Sequence, residues 1–192
     1  MPSTPDFTAS VHPALDEDLS ISFATLFLKN QGTFIYCDSE ENFFDHLFLF
    51  KKEKNIKYLY VWEAELKSRL HAGGIDFTDD EATFLKNAQA SLTTCEALIA
   101  RTGSLLVSGA NESGRRLSIY PEMHLVLAYA SQLLPDIKDG LEYVKEKYEN
   151  KIPSMLSLVS GPSRTADIEK TLVMGAHGPK ELILFLIDDT LH

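Results

Sequence analysis

An α/β fold, a mostly parallel sheet with helices on both faces, is what this 192-residue sequence predicts. Three observations carry the prediction. Short runs rich in β-branched, aliphatic and aromatic residues recur along the chain, among them TFIYC (33–37), SLLVS (104–108) and ELILFLID (181–188). Stretches with apolar residues at helical spacing lie between them. Runs such as IKYLYVW (56–62) and HLVLAYA (124–130) are apolar almost throughout, as strands buried on both faces of a parallel sheet are.

The elements follow in order. Residues 1–18 hold three prolines among polar residues and predict a flexible N-terminal arm, leaving 19–192 as one domain. A short helix is expected over 20–30 and a strand at 33–37. Asp38 with Glu41 forms a capping-box pattern, and the helix behind it places Phe43, Phe44, Leu47 and Phe48 on one core-facing side. After the strand at 56–62, a helix through ELKSRL stops at Gly73 and Gly74. Thr78 with Glu81 repeats the capping-box pattern ahead of a helix over 79–89. Residues 91–95 read as a strand and CEALIA as a helical turn. The strands at 104–108 and 124–130 follow. Pro135 opens a helix carrying Ile137, Leu141, Val144 and Tyr148, and the last strands are 154–160 and 181–188.

Composition excludes several classes. The net charge of −10 and the lack of a basic stripe argue against nucleic acid, although a pocket can be locally positive in an acidic protein. No run approaches the length of a membrane span, and the N-terminus lacks the pattern of a secretory signal, so the expected location is the cytoplasm. Cys37 and Cys95 are the only cysteines, in no zinc or C-x-x-C spacing, and cannot supply the four thiolates of a conventional iron–sulfur cluster.

Two segments hold six of the ten glycines and three of the five arginines, and so concentrate the special backbone and the planar cations. The first is SGPSRTADIEKTLVMGAHGP (160–179). Gly161 permits a sharp turn, Ser163 and Thr165 supply hydroxyls, and Arg164 suits a carboxylate or phosphate; the other reading is a capped strand-to-helix turn with Arg164 in a salt bridge. Thr165 would cap a helix through TADIEKTLV. Asp167 and Glu169 either orient Arg164, bind a cation or face solvent. His177, between glycines, is either a buried neutral imidazole or a general base. The second segment, TGSLLVSGANESGRRLSIYP (102–121), carries Arg115–Arg116 and one loop carboxylate, Glu112, a candidate nucleophile or base. It also reads as a hairpin loop with a solvated basic tip.

The run SGPSRTADIEKTLVMGAHGPKEL, with ARTGSLLVS and the arginine pair before SIYPEMHLVLA upstream, resembles the signature of the lactate-utilization protein C family, LutC/YkgG, the LUD-domain proteins. The resemblance spans roughly residues 20–188. It implies a fold similar to the sugar-phosphate isomerase and CoA-transferase superfamily. It also implies membership of a three-protein system that oxidizes L-lactate to pyruvate, with iron–sulfur clusters expected only on the partner oxidoreductase subunits and no cofactor in this chain; the leading reading is an accessory or regulatory subunit of that system. The positions carried over for binding a small carboxylate or phosphate ligand are Thr102, Gly103, Arg116, Gly161, Ser163, Arg164, Thr165, Asp167, Glu169, His177 and Gly178; Arg115 joins them from the residue reading. Arg101 stands where family members often carry an acid before the T-G turn. The alternatives are a stand-alone enzyme, an acyl-CoA transferase or sugar-phosphate isomerase-like catalyst, and a scaffold whose glycine-rich segments dock a partner.

One geometric expectation joins the two segments. Strands 104–108 and 154–160 are expected to run parallel, so that Gly161–Thr165 faces Arg115 and Arg116, with His177, in a crevice at the C-terminal edge of the sheet; with that strand running the other way, Gly161–Thr165 faces Thr102–Gly103 instead.

Overall fold

The structure, a computed structural model, describes residues 18–110, 112–168, 171–174 and 178–190. The expected arm lies outside them, apart from Asp18. In chain order the elements are α1 (Leu19–Lys29), β1 (Thr33–Cys37), α2 (Glu40–Glu53), β2 (Leu59–Tyr60), α3 (Ala64–Ala72), α4 (Glu81–Asn87), β3 (Ala90–Thr94), β4 (Ala97–Ile99), β5 (Ser104–Ser108), α5 (Arg116–Ile119), β6 (Met123–Tyr129), β7 (Leu133–Leu134), α6 (Ile137–Lys147), β8 (Leu156–Val159), β9 (Arg164–Ile168), β10 (Thr171–Met174) and β11 (Glu181–Ile187). Among the described residues no helix is long and apolar enough to cross a membrane.

The predicted parallel sheet is present, with strand order β1-β11-β6-β3-β2 and every neighbouring pair parallel. Its central strands are apolar on both faces because both are covered. Phe43, Leu47 and Phe50 of α2 and Leu66 and Leu70 of α3 pack on one face, against Leu125, Leu127 and Phe185. The other face carries Val126, Ala128 and Leu184, covered by Phe23 and Phe27 of α1 and by a second sheet. That sheet, in the order β7-β4-β5-β8, is the main departure from helices on both faces. CEALIA is a strand rather than a helical turn. Leu98 and Ala100 face the parallel sheet while Ala97 and Ile99 face α6, an alternation of period two that the short segment conceals.

Other corrections have local causes. Phe48 is 59% exposed, and Phe50 completes the buried 43, 47, 50 stripe in its place. The caps fall at Ser39, which accepts from the Asn42 N–H, and at Asp80, which accepts from the Ala82 N–H, rather than at Asp38 and Thr78. The strand expected over 56–62 shrinks to Leu59–Tyr60, because the Gln89 side chain takes the Lys57 N–H and donates to the Asn55 carbonyl, so 55–58 is held as a loop. The helix expected from Thr165 is the hairpin β9–β10, antiparallel, with Thr171 opposite Ile168 and Met174 opposite Arg164.

Helices α1, α2, α3 and α6 end in the same backbone motif, the residue after the cap at positive φ and two N–H groups closing back on the last turn. Only α3 uses glycine there; Gln31, Asn55 and Glu149 serve the other three.

Candidate functional site

The turn after β8 and the loop holding Ser113, Arg115 and Arg116 lie at opposite edges of the parallel sheet, while Thr102–Gly103, the start of the second segment, shares the edge of the former. β5 and β8 are antiparallel, with Leu105 opposite Val159, so the end of β8 meets the start of β5. The turn after β8 therefore lies beside Thr102–Gly103. The Oγ atoms of Ser104 and Ser160 hydrogen-bond at 2.7 Å. This is the N-terminal edge of the parallel sheet, because Asn30–Gly32 leads into β1 and Pro179–Lys180 into β11, where the Ser163 N–H donates to the Pro179 carbonyl.

Asn30, the C-terminal cap of α1, is the hub of this edge. Its Nδ2 donates to the Thr102 carbonyl at 3.1 Å, and Arg164 Nη2 donates to its own carbonyl at 2.5 Å. Gly161 passes so close to the Asn30 carbonyl oxygen that a Cβ would overlap it. Gly103 has φ +57°, and a Cβ there would sit 2.5 Å from the Phe27 backbone nitrogen. Gly178 lies against the Ser163 side chain, 3.1 Å from its Cβ to where a glycine Cβ would be. The Thr102 hydroxyl is buried without a partner among the described residues. Thus Thr102, Gly103, Gly161, Ser163, Arg164 and Gly178 come together. Arg164 is exposed and has a carbonyl but no carboxylate partner among the described residues. Thr165 and Asp167 lie on β9, while Glu169 and His177 fall outside the described residues. Arg101 forms an ion pair of 2.6 Å with Asp136, the cap of α6, which accounts for it structurally.

The part of the second segment that holds Glu112, Ser113, Arg115 and Arg116 belongs to the C-terminal edge and does not make it positive. Ser113 Oγ donates to Glu63 Oε1 at 2.9 Å. Glu63 sits just past β2, is only 9% exposed, and also accepts from the Thr94 N–H at 3.0 Å and the Thr94 hydroxyl at 2.6 Å. Glu112 Oε2 accepts from the Ala64 N–H at 2.5 Å and so caps α3 from a distant loop. A cavity of about 270 Å³ lies between them, lined by Glu63, Ala64, Glu65, Ala110 and Glu112. Arg116 is spent on the protein itself: its guanidinium lies 4.6 Å from the Trp62 ring centroid and pairs with Glu81. Arg115 is exposed beside it. The parallel run of β5 and β8 expected from the sequence is not found: the two pair antiparallel, so the turn after β8 meets Thr102–Gly103, the meeting expected for that direction, and not Arg115 and Arg116.

Sequence reasoning missed Glu63, Thr94, Ser113 and Glu96. Glu96 follows β3 with its side chain fully buried, and it accepts from Lys147 at 2.7 Å, from Tyr148 at 2.7 Å and from Ser108. Burial pushes its carboxyl up, but the bonds from Lys147, Ser108 and Tyr148 together outweigh that and hold it below the usual carboxylate range. The available signal was an acid at the end of an apolar run, in YVWE and TTCE. The cysteines lie on opposite faces of the parallel sheet, Cys37 in the α2–α3 core and Cys95 in the other. Burial pushes the Cys37 thiol up to about 12, and burial likewise raises Cys95.

A model of the LUD domain matches residues 21–187. The chain belongs to the LUD domain family. Its relatives include an uncharacterized protein of Neisseria meningitidis, 38% identical over 104 residues that cover 54% of this chain and 44% of that protein. Lactate utilization protein C 1 of Bacillus mycoides is 27% identical over 124 residues, 64% of this chain and 53% of that one. The uncharacterized protein YkgG of Escherichia coli is 33% identical over 106 residues, 54% and 46% of the two. The chain thus spans about half the length of the curated relatives it matches, and the LutC/YkgG resemblance read from the signature run is supported by them. A crystal structure of a DUF162 family protein from Deinococcus radiodurans shares the fold, with a TM-score of 0.65, 20% identity, and coverage of 88% of this chain and 96% of that one.

Proposed function

We propose that this LUD-domain chain acts in lactate utilization as an accessory or regulatory subunit of an iron–sulfur-dependent system that oxidizes L-lactate to pyruvate, and that it binds a small anionic ligand. The observation that carries the reading is the family match over 21–187 together with relatives named lactate utilization protein C. The separation of Cys37 and Cys95 across the sheet supports a subunit whose electron-carrying clusters belong to its partners, since the two thiols cannot reach one cluster.

For the ligand, the Arg164 cluster is the better of the two edges. A guanidinium without a carboxylate partner among the described residues is joined through Asn30 to Thr102, whose buried hydroxyl has no partner among them, at the edge that also holds the Ser160–Ser104 hydroxyl pair, whereas the Glu63–Glu112 edge is acidic. The test is assembly. Mixed with the iron–sulfur oxidoreductases of the system, the chain should elute with them from a sizing column at fixed stoichiometry, all the iron remaining with the partners. Separate elution under conditions where lactate oxidation runs would reject the subunit reading.

A further inference from the structure

A cavity of about 360 Å³ lies apart from both clusters, where the C-terminal ends of α2 and α3 converge. Three lysines line it: Lys51, Lys52 and Lys57. None has a carboxylate ion-pair partner among the described residues, whereas their neighbour Lys54 is paired with Glu181 at 2.6 Å. Lys51 Nζ donates to the backbone carbonyl of Asp76, and Asp76 is the one acid of the lining. Burial pulls the Lys51 ammonium below the usual lysine range, with the Asp76 charge opposing it. Three cations against one anion leave this cavity positive on a chain whose net charge is −10.

Helix capping does not account for the cluster. Basic residues in a last turn offset the helix dipole, and Lys51 and Lys52 hold such positions. The carbonyls there are already closed by backbone bonds, however, from Ile56 N–H to Lys51 and from Asn55 N–H to Lys52. Lys57 lies beyond the helix altogether, and its N–H is fixed at 2.9 Å by Gln89 Oε1. The cavity also has an apolar side. Ile56 and Ile75 line it, 7% and 6% exposed, and Phe48 at its rim is 59% exposed although the sequence places it on an amphipathic helix.

We infer that this cavity binds a phosphate monoester with an apolar organic part, the phosphate held by Lys51, Lys52 and Lys57 and the organic part lying against Phe48 and Ile75. Three compact ammonium groups lining one cavity match the dianionic charge of a phosphate, whereas one carboxylate engages fewer of them. The volume lies at the small end of ligand sites, roughly 300–1,000 Å³.

Phenyl phosphate is the probe, titrated into the full chain and followed by amide NMR shifts. One-to-one saturable shifts are expected in 51–57 and 74–76. Lys52→Gln and Lys57→Gln, both at exposed positions where folding is not at risk, should each weaken binding about tenfold. Inorganic phosphate should bind more weakly than phenyl phosphate, because it lacks the part that covers Phe48. Shifts that never saturate, saturable binding unaltered in both variants, or shifts centred on Ser163 and Arg164 instead would overturn the inference. Equal affinity for inorganic phosphate would overturn its apolar half.

Discussion

Arg164 at the start of β9 donates to the backbone carbonyl of Asn30 at 2.5 Å, joining the hairpin stem to the end of α1 across 134 positions of sequence. Both readings of this arginine meet in that bond, because one Nη is used structurally while no carboxylate among the described residues neutralises the group. Arg164→Ala should therefore lower stability by only about 1 kcal/mol, as an exposed bond to a carbonyl contributes little more. Binding of a small carboxylate should weaken about tenfold. Chemical denaturation and calorimetric titration with L-lactate read the two effects separately. A large stability loss with unchanged binding would make Arg164 a strut alone.

Glycines at turns of similar backbone shape should differ in what they tolerate. Gly103→Ala places a Cβ 2.5 Å from the Phe27 nitrogen at φ +57°, and should cost about 3 kcal/mol or prevent folding. Gly74→Ala, at φ +67° with nothing within 4 Å of the new Cβ, should cost only the left-handed backbone preference, about 1–2 kcal/mol. Urea unfolding of the two variants decides it, and equal costs would contradict the close approach of Gly103 to α1.

Much of the parallel sheet was legible because its strands are apolar on both faces, and the 3.6 spacing of Phe43 and Leu47 marked a helix. What stayed hidden depended on partners far along the chain. RTADIEKTLV carries a hydroxyl, early acids and apolar residues at Ile168 and Leu172, a helical spacing, while its Thr165, Ile168, Thr171 and Val173 favour a strand equally well. Nothing local chooses between them. Likewise Glu112 looked reactive because it stands alone in a glycine-rich loop, and only the fold brings it to the Ala64 N–H. Glu63 was passed over because its burial follows from Thr94 and Ser113 arriving from two other segments. The Arg164 cluster was legible as composition, but its edge of the sheet depended on the direction of β8.

Acid should destabilise the protein in two steps. His124 is fully buried, with Nε2 2.9 Å from the Thr93 hydroxyl, and burial lowers its pKa to about 4. Between that value and the ordinary imidazole value near 6.5, the unfolded chain binds a proton that the folded chain does not. Stability is thus complete above the upper value and falls by on the order of 3 kcal/mol as pH drops to the lower. Glu96, held below the usual carboxylate range, adds a further loss at still lower pH as its unfolded form takes up a proton first. NMR titration of the His124 ring should show it neutral at pH 5, and a midpoint near 6.5 would contradict its burial.

Replacing Glu96 by alanine should cost about 2–4 kcal/mol at neutral pH, because Ser108 and Tyr148 lose their acceptor while Lys147, 43% exposed, can turn to water. A thermal melt within a degree of the parent would show that the buried carboxylate is not a tie between α6 and the second sheet.

The two thiols should be inert in the native protein. With Cys37 pushed up to about 12 and Cys95 raised by burial, neither supplies thiolate at pH 8. A disulfide reagent should find no rapidly reacting thiol in the folded chain and two after denaturation, and a fast-reacting native thiol would contradict both burials.

The most direct measurement of the central claim is pyruvate formation from L-lactate by purified components. The account predicts no turnover from this chain alone, a low rate from the iron–sulfur partners without it, and a rate restored in proportion to the chain added up to stoichiometry. Turnover by the isolated chain, or partners that run equally fast without it, would contradict the account.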